Sequence, residues 1–397
     1  MDGRDLRRQL VDLLGTRKIV CLTREFPGEP LHGFVLALGR EWVLLQQFHD
    51  FYPEGYAALR VRDITDVRSG EHERHWERMF AAEGLLDQIA VPGALSLDET
   101  SQLLTALQRR GQNVIVECEE NVEFHIGQIL SVDAGAVCFA NFDALGRWDD
   151  APQVIRFRMI TKVQFETPYV QTFSRYLEGP CRQIKRSGRE GKRRERARAV
   201  TKHSKDVTNL ELSRLVGTWK KVRLTRGFAS EPLHNGFVLA LGREWVLLQQ
   251  FHDFYPEGYT ALRVRDITNV RAGEYERHWE RMFAAEGLLD QIGVPGALPL
   301  DETSRMLTAL QQRDQNVIVE CEHSDEDMEE FHIGQILSVD AGSVGFANFD
   351  ALGRWDDAPH VIPLRKITTV QFETPYVRTF SRYLEGPYHQ IKRSGRT

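Results

Sequence analysis

The sequence predicts a mainly β protein with flanking helices (α+β), built from four small five-stranded barrels in tandem, each with an N-terminal and a C-terminal helix. Three observations carry this prediction: a nearly perfect internal duplication, an older duplication inside each copy, and short β-branched runs separated by turn residues. The chain has 397 residues, of which 42% are hydrophobic and 27% charged. This composition is ordinary for a globular protein and too apolar for a disordered one.

The recent duplication is visible as a long identical segment. The 24 residues of Gly33–Tyr56 recur without a change at Gly236–Tyr259, and the match continues almost to the C-terminus. The chain therefore contains two long copies, about 1–184 and 208–391.

An older duplication lies inside each long copy. Leu31-His32-Gly33 matches Phe124-His125-Ile126-Gly127, and the features that follow come in the same order at similar spacing. We therefore predict four units joined by one linker. They are 1–92 (unit A), 93–184 (unit B), 185–207 (basic linker), 208–295 (unit A′) and 296–391 (unit B′).

Helix signals stand at both ends of a unit. Unit A opens with apolar residues at helical spacing, Leu6, Leu10 and Leu13. Before unit B, Ser96 and Glu99 form a capping-box pattern, and Asp301 is the expected cap in unit B′. Thr167-Pro168 predicts the start of a closing helix.

Strand signals fill the middle of each unit. In unit A the predicted strands are Lys18–Thr23, Gly33–Leu38, Trp42–Phe48, Ala58–Val61 and Ile64–Arg68. In unit B the predicted strands include Asn113–Glu117 and the hairpin Gly127–Val132 with Ala136–Phe142. A strongly bent barrel is the economical way for five short strands to bury one face.

This order of one helix and five strands resembles the Sm-like and wider SH3-like small-barrel families. Val61-Arg62-Asp63-Ile64 is similar to the second Sm signature, with Asp63 where a glycine is expected. The Asp and Asn residues of the first Sm signature have no match in Gly39-Arg40-Glu41. The resemblance thus implies the small-barrel fold but not the RNA pocket. The units are also similar to a loose group of uncharacterised bacterial proteins with the same hairpin, which implies no function.

Histidines and cysteines are the residues that suggest chemistry. His32, His125, His234 and His332 recur at the start of the hairpin in the four units. They are either ligands or acid–base groups, or structural histidines that bond a neighbouring backbone group. Cys118 and Cys321 are expected to be buried thiols. We find no partner at metal-site spacing and no catalytic fingerprint, and so expect no metal, no cofactor and no enzyme.

Aromatic loops are the candidate partner-facing surfaces. These residues are Phe51, Tyr52, Trp148 and their second-copy equivalents Phe254, Tyr255 and Trp355. The aromatic side chains are either tucked against a closing helix or offered to a partner.

The junction between the long copies is basic. From Arg182 to Lys205, eleven Lys or Arg residues face two Glu, a net charge of +9 that leaves −15 for the rest of the chain. The residues expected to contact nucleic acid are Lys192, Arg193, Arg194, Arg196 and Arg198. The linker is either a solvated spacer, a phosphate-binding arm, or a segment that folds back onto acidic barrel surfaces.

Function is predicted only as a class. Repeated loops on four units favour a non-catalytic multivalent scaffold or protein-binding protein. The alternatives are a nucleic-acid-associated protein that uses the basic linker, and a toxin-neutralising (immunity-type) protein. Five cysteines are too few and odd in number for a disulfide framework. With neither a bilayer-spanning apolar run nor a signal peptide, we expect a cytoplasmic protein without membrane contact.

Overall fold

The computed structural model describes residues 3–28, 30–181, 205–228, 233–322 and 330–388. They fall into two compact halves, Met1–Lys192 and Arg193–Thr397. The helices of the first half are α1 (Gly3–Leu13), α2 (Glu71–Ala82), α3 (Thr100–Arg110) and α4 (Pro168–Ser174). Its strands are β1 (Ile19–Arg24), β2 (Leu31–Leu38), β3 (Trp42–His49), β4 (Tyr52–Arg60), β5 (Ile64–Arg68), β6 (Asn113–Cys118), β7 (Glu123–Val132), β8 (Ala136–Asn141), β9 (Gln153–Arg156) and β10 (Lys162–Phe165).

The second half repeats these elements in the same order. Its helices are α5 (Lys205–Ser213), α6 (Glu274–Ala285), α7 (Thr303–Gln312) and α8 (Pro375–Phe380). Its strands are β11 (Lys221–Arg226), β12 (His234–Leu241), β13 (Trp245–His252), β14 (Tyr255–Arg263), β15 (Ile267–Arg271), β16 (Asn316–Cys321), β17 (Glu330–Val339), β18 (Ser343–Asn348), β19 (His360–Pro363) and β20 (Thr369–Phe372).

Each half contains one open ten-stranded antiparallel sheet, so the coarse prediction of a mainly β protein with helices is confirmed. The first sheet has the order β5-β1-β2-β3-β4-β10-β6-β7-β8-β9. The expected closed barrels do not appear among the described residues. The physical reason is that β4, which a closed unit A would pair with its own β5, pairs instead with β10 of unit B.

Strand β3 joins two hydrophobic cores because it is buried on both faces. Val43 and Leu45 pack with Leu10 of α1 in the core of unit A. Trp42 and Leu44 point the other way, into a core shared with unit B. Unit B contributes Leu103, Leu107, Val116, Phe139 and Phe165 to this shared core. Units A and B of the first half are therefore held together by side-chain packing as well as by strand pairing.

The hairpin of β3 and β4 is tighter than the sequence suggested. The expected loop before Ala58 is instead the beginning of β4, which starts at Tyr52 opposite His49. Asp50 makes the short turn with a φ of 50°, a left-handed conformation that Asp tolerates better than most residues.

The helix caps confirm one sequence prediction and correct two. Thr167 caps α4, its Oγ1 accepting a hydrogen bond from Val170 N at 3.1 Å. Ser96 does not cap α3; the backbone N and Oγ1 of Thr100 donate to Glu41 Oε2 at 3.1 and 2.8 Å. Asp301 likewise does not cap α7, since it accepts from Arg243 N at 2.9 Å. The acceptor at the start of α7 is Glu244 Oε2, which receives a hydrogen bond from Thr303 N at 3.1 Å.

Val122 adopts a strained backbone conformation in the turn between β6 and β7. Its φ is 56° and the residue is 93% exposed, so a β-branched residue sits in the left-handed region without packing in return. We expect Val122→Gly to raise the free energy of unfolding by about 1 kcal/mol, because glycine enters this region without the Cβ penalty. Denaturant unfolding measures the change. Val122→Ala is the control and should give a smaller gain; an equal or larger gain from alanine would contradict the backbone explanation.

No helix in the described part of the chain is long and apolar enough to cross a membrane.

Candidate protein-binding surface

Two strands in each sheet have an unpaired edge. Within the described residues these are β5 and β9 in the first sheet, and β15 and β19 in the second. An unpaired edge presents a row of backbone N–H and C=O groups that a strand from another chain is able to pair with. The sheet edges are therefore the main-chain surfaces most open to a partner.

The edge of β9 is exposed and carries an apolar side chain. Val154 is 72% exposed, whereas the neighbouring Ile155 is buried in the shared core. Phe157 N donates to Gly135 O at 2.9 Å, so the backbone N–H of Phe157 points toward the β8 side of the ladder. This bond fixes which way the backbone N–H and C=O groups of the preceding residues point. Because these directions alternate along a strand, Ile155 faces β8, and the backbone groups of Val154 and Arg156 face outward.

The corresponding edge of β19 is partly blocked. Val361 repeats the exposure of Val154, but Pro363 stands at the position of Arg156. Proline has no backbone N–H, so this edge offers one donor fewer than β9. Neither strand was predicted from the sequence; their only signal is a Val-Ile pair after the Asp-Asp-Ala-Pro loop, Val154-Ile155 in β9 and Val361-Ile362 in β19.

The aromatic loops pack against helices of their own unit. Phe51 is 7% exposed, and its ring stacks on Trp76 of α2 with centroids 5.2 Å apart. Phe254 and Trp279 repeat this stack at 4.9 Å. The two tyrosines beside them, Tyr52 and Tyr255, are half-buried at the starts of β4 and β14.

The two loop tryptophans are also anchored. Trp148 Nε1 donates to Gly179 O at 3.0 Å, and its ring meets Phe142 edge-on at 5.6 Å. Trp355 makes the same two contacts in the second half, with Gly386 and Phe349. Both indoles are half-buried. Partner contact by these six aromatic residues stays a prediction.

The four hairpin histidines are not equivalent. His125, His234 and His332 each lie two residues before the hairpin glycine, whereas His32 lies one residue before it. Successive side chains alternate faces, so the one-residue difference leaves His32 exposed while His234 is buried. In the second half, Asn235 takes the register position of His32.

His234 has the surroundings of a structural residue. Burial, followed by the charge of Arg226, lowers the pKa of His234 to about 3, so the ring is neutral at physiological pH. Gln250 Nε2 donates to its Nδ1 at 2.9 Å. A neutral imidazole held by a side-chain amide positions a strand end and does not carry protons near pH 7.

An arginine-rich cleft of about 450 Å³ lies beside α1 and the β2–β3 turn. Two of its guanidinium groups bond to backbone carbonyls of unit B, and a third bonds within unit A. Arg60 Nε donates to Ile160 O of unit B at 2.5 Å, and Arg62 Nη2 donates to Arg158 O at 3.3 Å. Arg7 donates to Gly39 O at 2.8 Å. Arg60 and Arg62 of this cleft therefore serve to join units A and B.

Lys192, Arg193, Arg194, Arg196 and Arg198, the expected nucleic-acid contacts, lie outside the described residues. Their role stays a prediction.

Comparison with known proteins gives little guidance. No family model and no curated protein matches the chain. Among solved structures, one weakly similar chain is in the crystal structure of the four MBT repeats of Drosophila melanogaster Sfmbt in complex with the peptide RHR (me)K VLR. The identity is 11%, the match covers 96% of this chain and 92% of that chain, and the TM-score is 0.13. A likeness at this score carries no conclusion about fold or function.

Proposed function

We propose that the chain is a non-catalytic scaffold of four Sm-like or SH3-like β units that binds partner proteins, and that the free edge of β9 takes an extended segment of the partner. The unit bounds are those predicted from the sequence. Support for repeated units comes from the strand order, which runs β5-β1-β2-β3-β4 in the front part of the sheet and β10-β6-β7-β8-β9 in the rear part. By this order, β9 is the counterpart of β4, and β10 is the counterpart of β5.

The pairing of β4 with β10 is the observation that carries the proposal. The β4 edge already holds an antiparallel strand, with Ala58 opposite Val163 and Tyr56 opposite Phe165. Its counterpart β9 presents the same kind of edge with no strand on it in the described chain. An edge that accepts a strand inside the molecule is suited to accept one from outside.

The occupant of β4 also indicates what a partner segment should look like. Strand β10 reads Lys-Val-Gln-Phe, with Val163 and Phe165 fully buried. We infer that the partner supplies a short antiparallel strand with alternating apolar residues, one of which packs beside Val154. The second edge, on β19, would give the scaffold a further and weaker contact of the same kind, because of Pro363.

Val154→Pro tests this proposal. The substitution removes an outward backbone N–H, so we expect partner affinity to fall about tenfold, since one hydrogen bond is worth about 0.5–1.5 kcal/mol and the proline ring adds a clash. The partner is first captured from the source cell, with protein and nucleic acid identified separately, and its affinity is then measured with purified components. Val154→Thr is the matched control, because it keeps the N–H and a β-branched side chain.

The outcomes separate the alternatives. Equal binding by Val154→Pro and the unchanged protein would reject the β9 edge. Capture of nucleic acid that survives Val154→Pro but is lost when Arg193, Arg194, Arg196 and Arg198 become Ala would favour the nucleic-acid alternative. Capture of a toxin would favour the immunity-type alternative.

A further inference from the structure

The hairpin of β6 and β7 brings a thiol, a carboxylate and an imidazole together on one face. Cys118 at the end of β6 lies directly opposite Glu123 at the start of β7. His125 lies two residues farther along β7, opposite Val116, and therefore on the same face as Glu123. One ligand atom from each of the three side chains lies within 4.8 Å of the other two.

The separation between the imidazole and the carboxylate suits a tetrahedral metal ion. With metal–ligand bonds of about 2.0–2.3 Å, neighbouring donor atoms of a tetrahedral site are about 3.3–3.7 Å apart. His125 Nε2 and Glu123 Oε2 are 3.7 Å apart, which is too long for a hydrogen bond and close to this spacing. Cys118 is fully buried, whereas the Glu123 side chain is 55% exposed, so an ion would enter from the glutamate side.

The Nε2 atom of His125 is available as a metal ligand. His125 Nε2 is shielded from solvent and has no hydrogen-bond partner among the described residues. This nitrogen is therefore open to an ion, as is the matching His332 Nε2 of the second half.

The charge around the thiol also favours a cation. The carboxylates of Glu123 and Glu120 lie close enough to Cys118 to act on its thiol electrostatically. These groups surround the sulfur with negative charge that a divalent ion would neutralise.

The second half contains the same three residue types, but there a lysine side chain already pairs with the glutamate. Cys321 lies opposite Glu330, and His332 follows in the same register as in the first half. Here Lys366 Nζ lies 3.5 Å from Glu330 Oε1. The equivalent position in the first half is Met159, which carries no charge.

We propose that Cys118, Glu123 and His125 form a site for one divalent transition-metal ion, with Zn²⁺ as the expected ion and water completing its coordination. Mixed sulfur, nitrogen and oxygen ligands are typical of zinc. The prediction of no metal site rests on Cys118 being alone in its strand. It does not take account of Glu123, which lies two residues before His125. The short turn that ends at Val122 is what sets Cys118 opposite Glu123.

A second cluster, Cys21, His32 and Glu73, is a poorer candidate. Both oxygens of Glu73 are already engaged: Oε2 accepts from Gly70 N at 2.6 Å, and Oε1 accepts from Arg68 Nε at 3.0 Å. Metal binding there would break the start of α2.

The test is titration of the chelator-treated full chain with Zn²⁺ alone, followed by Co²⁺ as a spectroscopic probe. We expect one ion per chain and a cobalt–thiolate charge-transfer band. Cys118→Ser should abolish the band and weaken Zn²⁺ binding at least about tenfold. Cys138→Ser is the control, because Cys138 lies in β8 outside the cluster, and it should leave both unchanged.

Further variants keep the test decisive. If Cys118→Ser fails to fold, His125→Asn serves in its place, with the thermal unfolding curve as the check on folding. Cys321→Ser should leave the stoichiometry and the band unchanged. The absence of a cobalt–thiolate band, or unchanged Zn²⁺ affinity in a folded Cys118→Ser or His125→Asn protein, would overturn the site. The site does not depend on the proposed partner binding, and the titration contains no partner.

Discussion

Arg226→Ala is expected to lower the free energy of unfolding of the second half by about 3–5 kcal/mol, because it leaves the buried Glu322 carboxylate without its charged partner. Arg226 Nη2 lies 2.6 Å from Glu322 Oε1, and the two side chains are 1% and 9% exposed. Arg226 also donates to Thr369 Oγ1 at 2.7 Å, and Glu322 accepts from Thr368 Oγ1 at 2.7 Å. This network joins β11 in unit A′ to the end of β16 in unit B′, so its loss should loosen the two units together.

Urea unfolding measures this effect, and two comparisons identify its cause. The double variant Arg226→Met with Glu322→Leu should recover most of the loss, because it removes the charge as well as its partner. Arg24→Ala in the first half should cost less, since Arg24 and Glu119 are 10% and 18% exposed and water compensates part of the loss. If Arg226→Ala lowers the free energy of unfolding by less than about 1 kcal/mol, or if the double variant recovers nothing, the buried ion pair is not a major source of the stability of these two units.

Local patterns predicted most individual elements. The Leu6 and Leu10 spacing marked α1, and both residues are buried. Thr167-Pro168 marked the start of α4 correctly. These features depend on residues close together in the chain, where propensity and capping act.

The sequence pattern did not predict which strands pair when they lie far apart in the chain. The ladder between β4 and β10 joins residues about 100 positions apart through backbone groups, which every residue type carries, so no side-chain motif announces it. The same limit explains the cap of α3, where Glu41 replaced the predicted Ser96.

The candidate sites were missed for a related reason. Exposed Val154 becomes significant only when β9 is known to be an edge strand. Cys118 and Glu123 are five positions apart, a spacing that matches no metal motif, and only the four-residue turn between them makes them neighbours. His32 was grouped with the other hairpin histidines although its register turns it to the opposite face.

Gly127→Ala is expected to destabilise the first half by about 3–5 kcal/mol, because the strands at this point leave no room for a side chain. The φ of Gly127 is 155°, and an added Cβ would lie 1.8 Å from Ala140 O. Real Cβ atoms essentially never come within 3.0 Å of such an atom, and the obstacle is backbone that cannot rotate away. Either β7 or β8 must shift, which would displace Ile129 and Phe139 from the shared core.

The hairpin itself offers the matched control. Gly135 lies in the turn between β7 and β8, and a Cβ there meets nothing within 4 Å. Gly135→Ala should therefore change the free energy of unfolding by no more than about 0.5 kcal/mol. Urea unfolding compares the two variants, and hydrogen exchange should show lost protection in β7 and β8 for Gly127→Ala only. Gly334 has the same 1.8 Å approach to Ala347 O, so Gly334→Ala should damage the second half equally. If both central glycines tolerate alanine, the close approach of these strands cannot be what requires glycine in the hairpin.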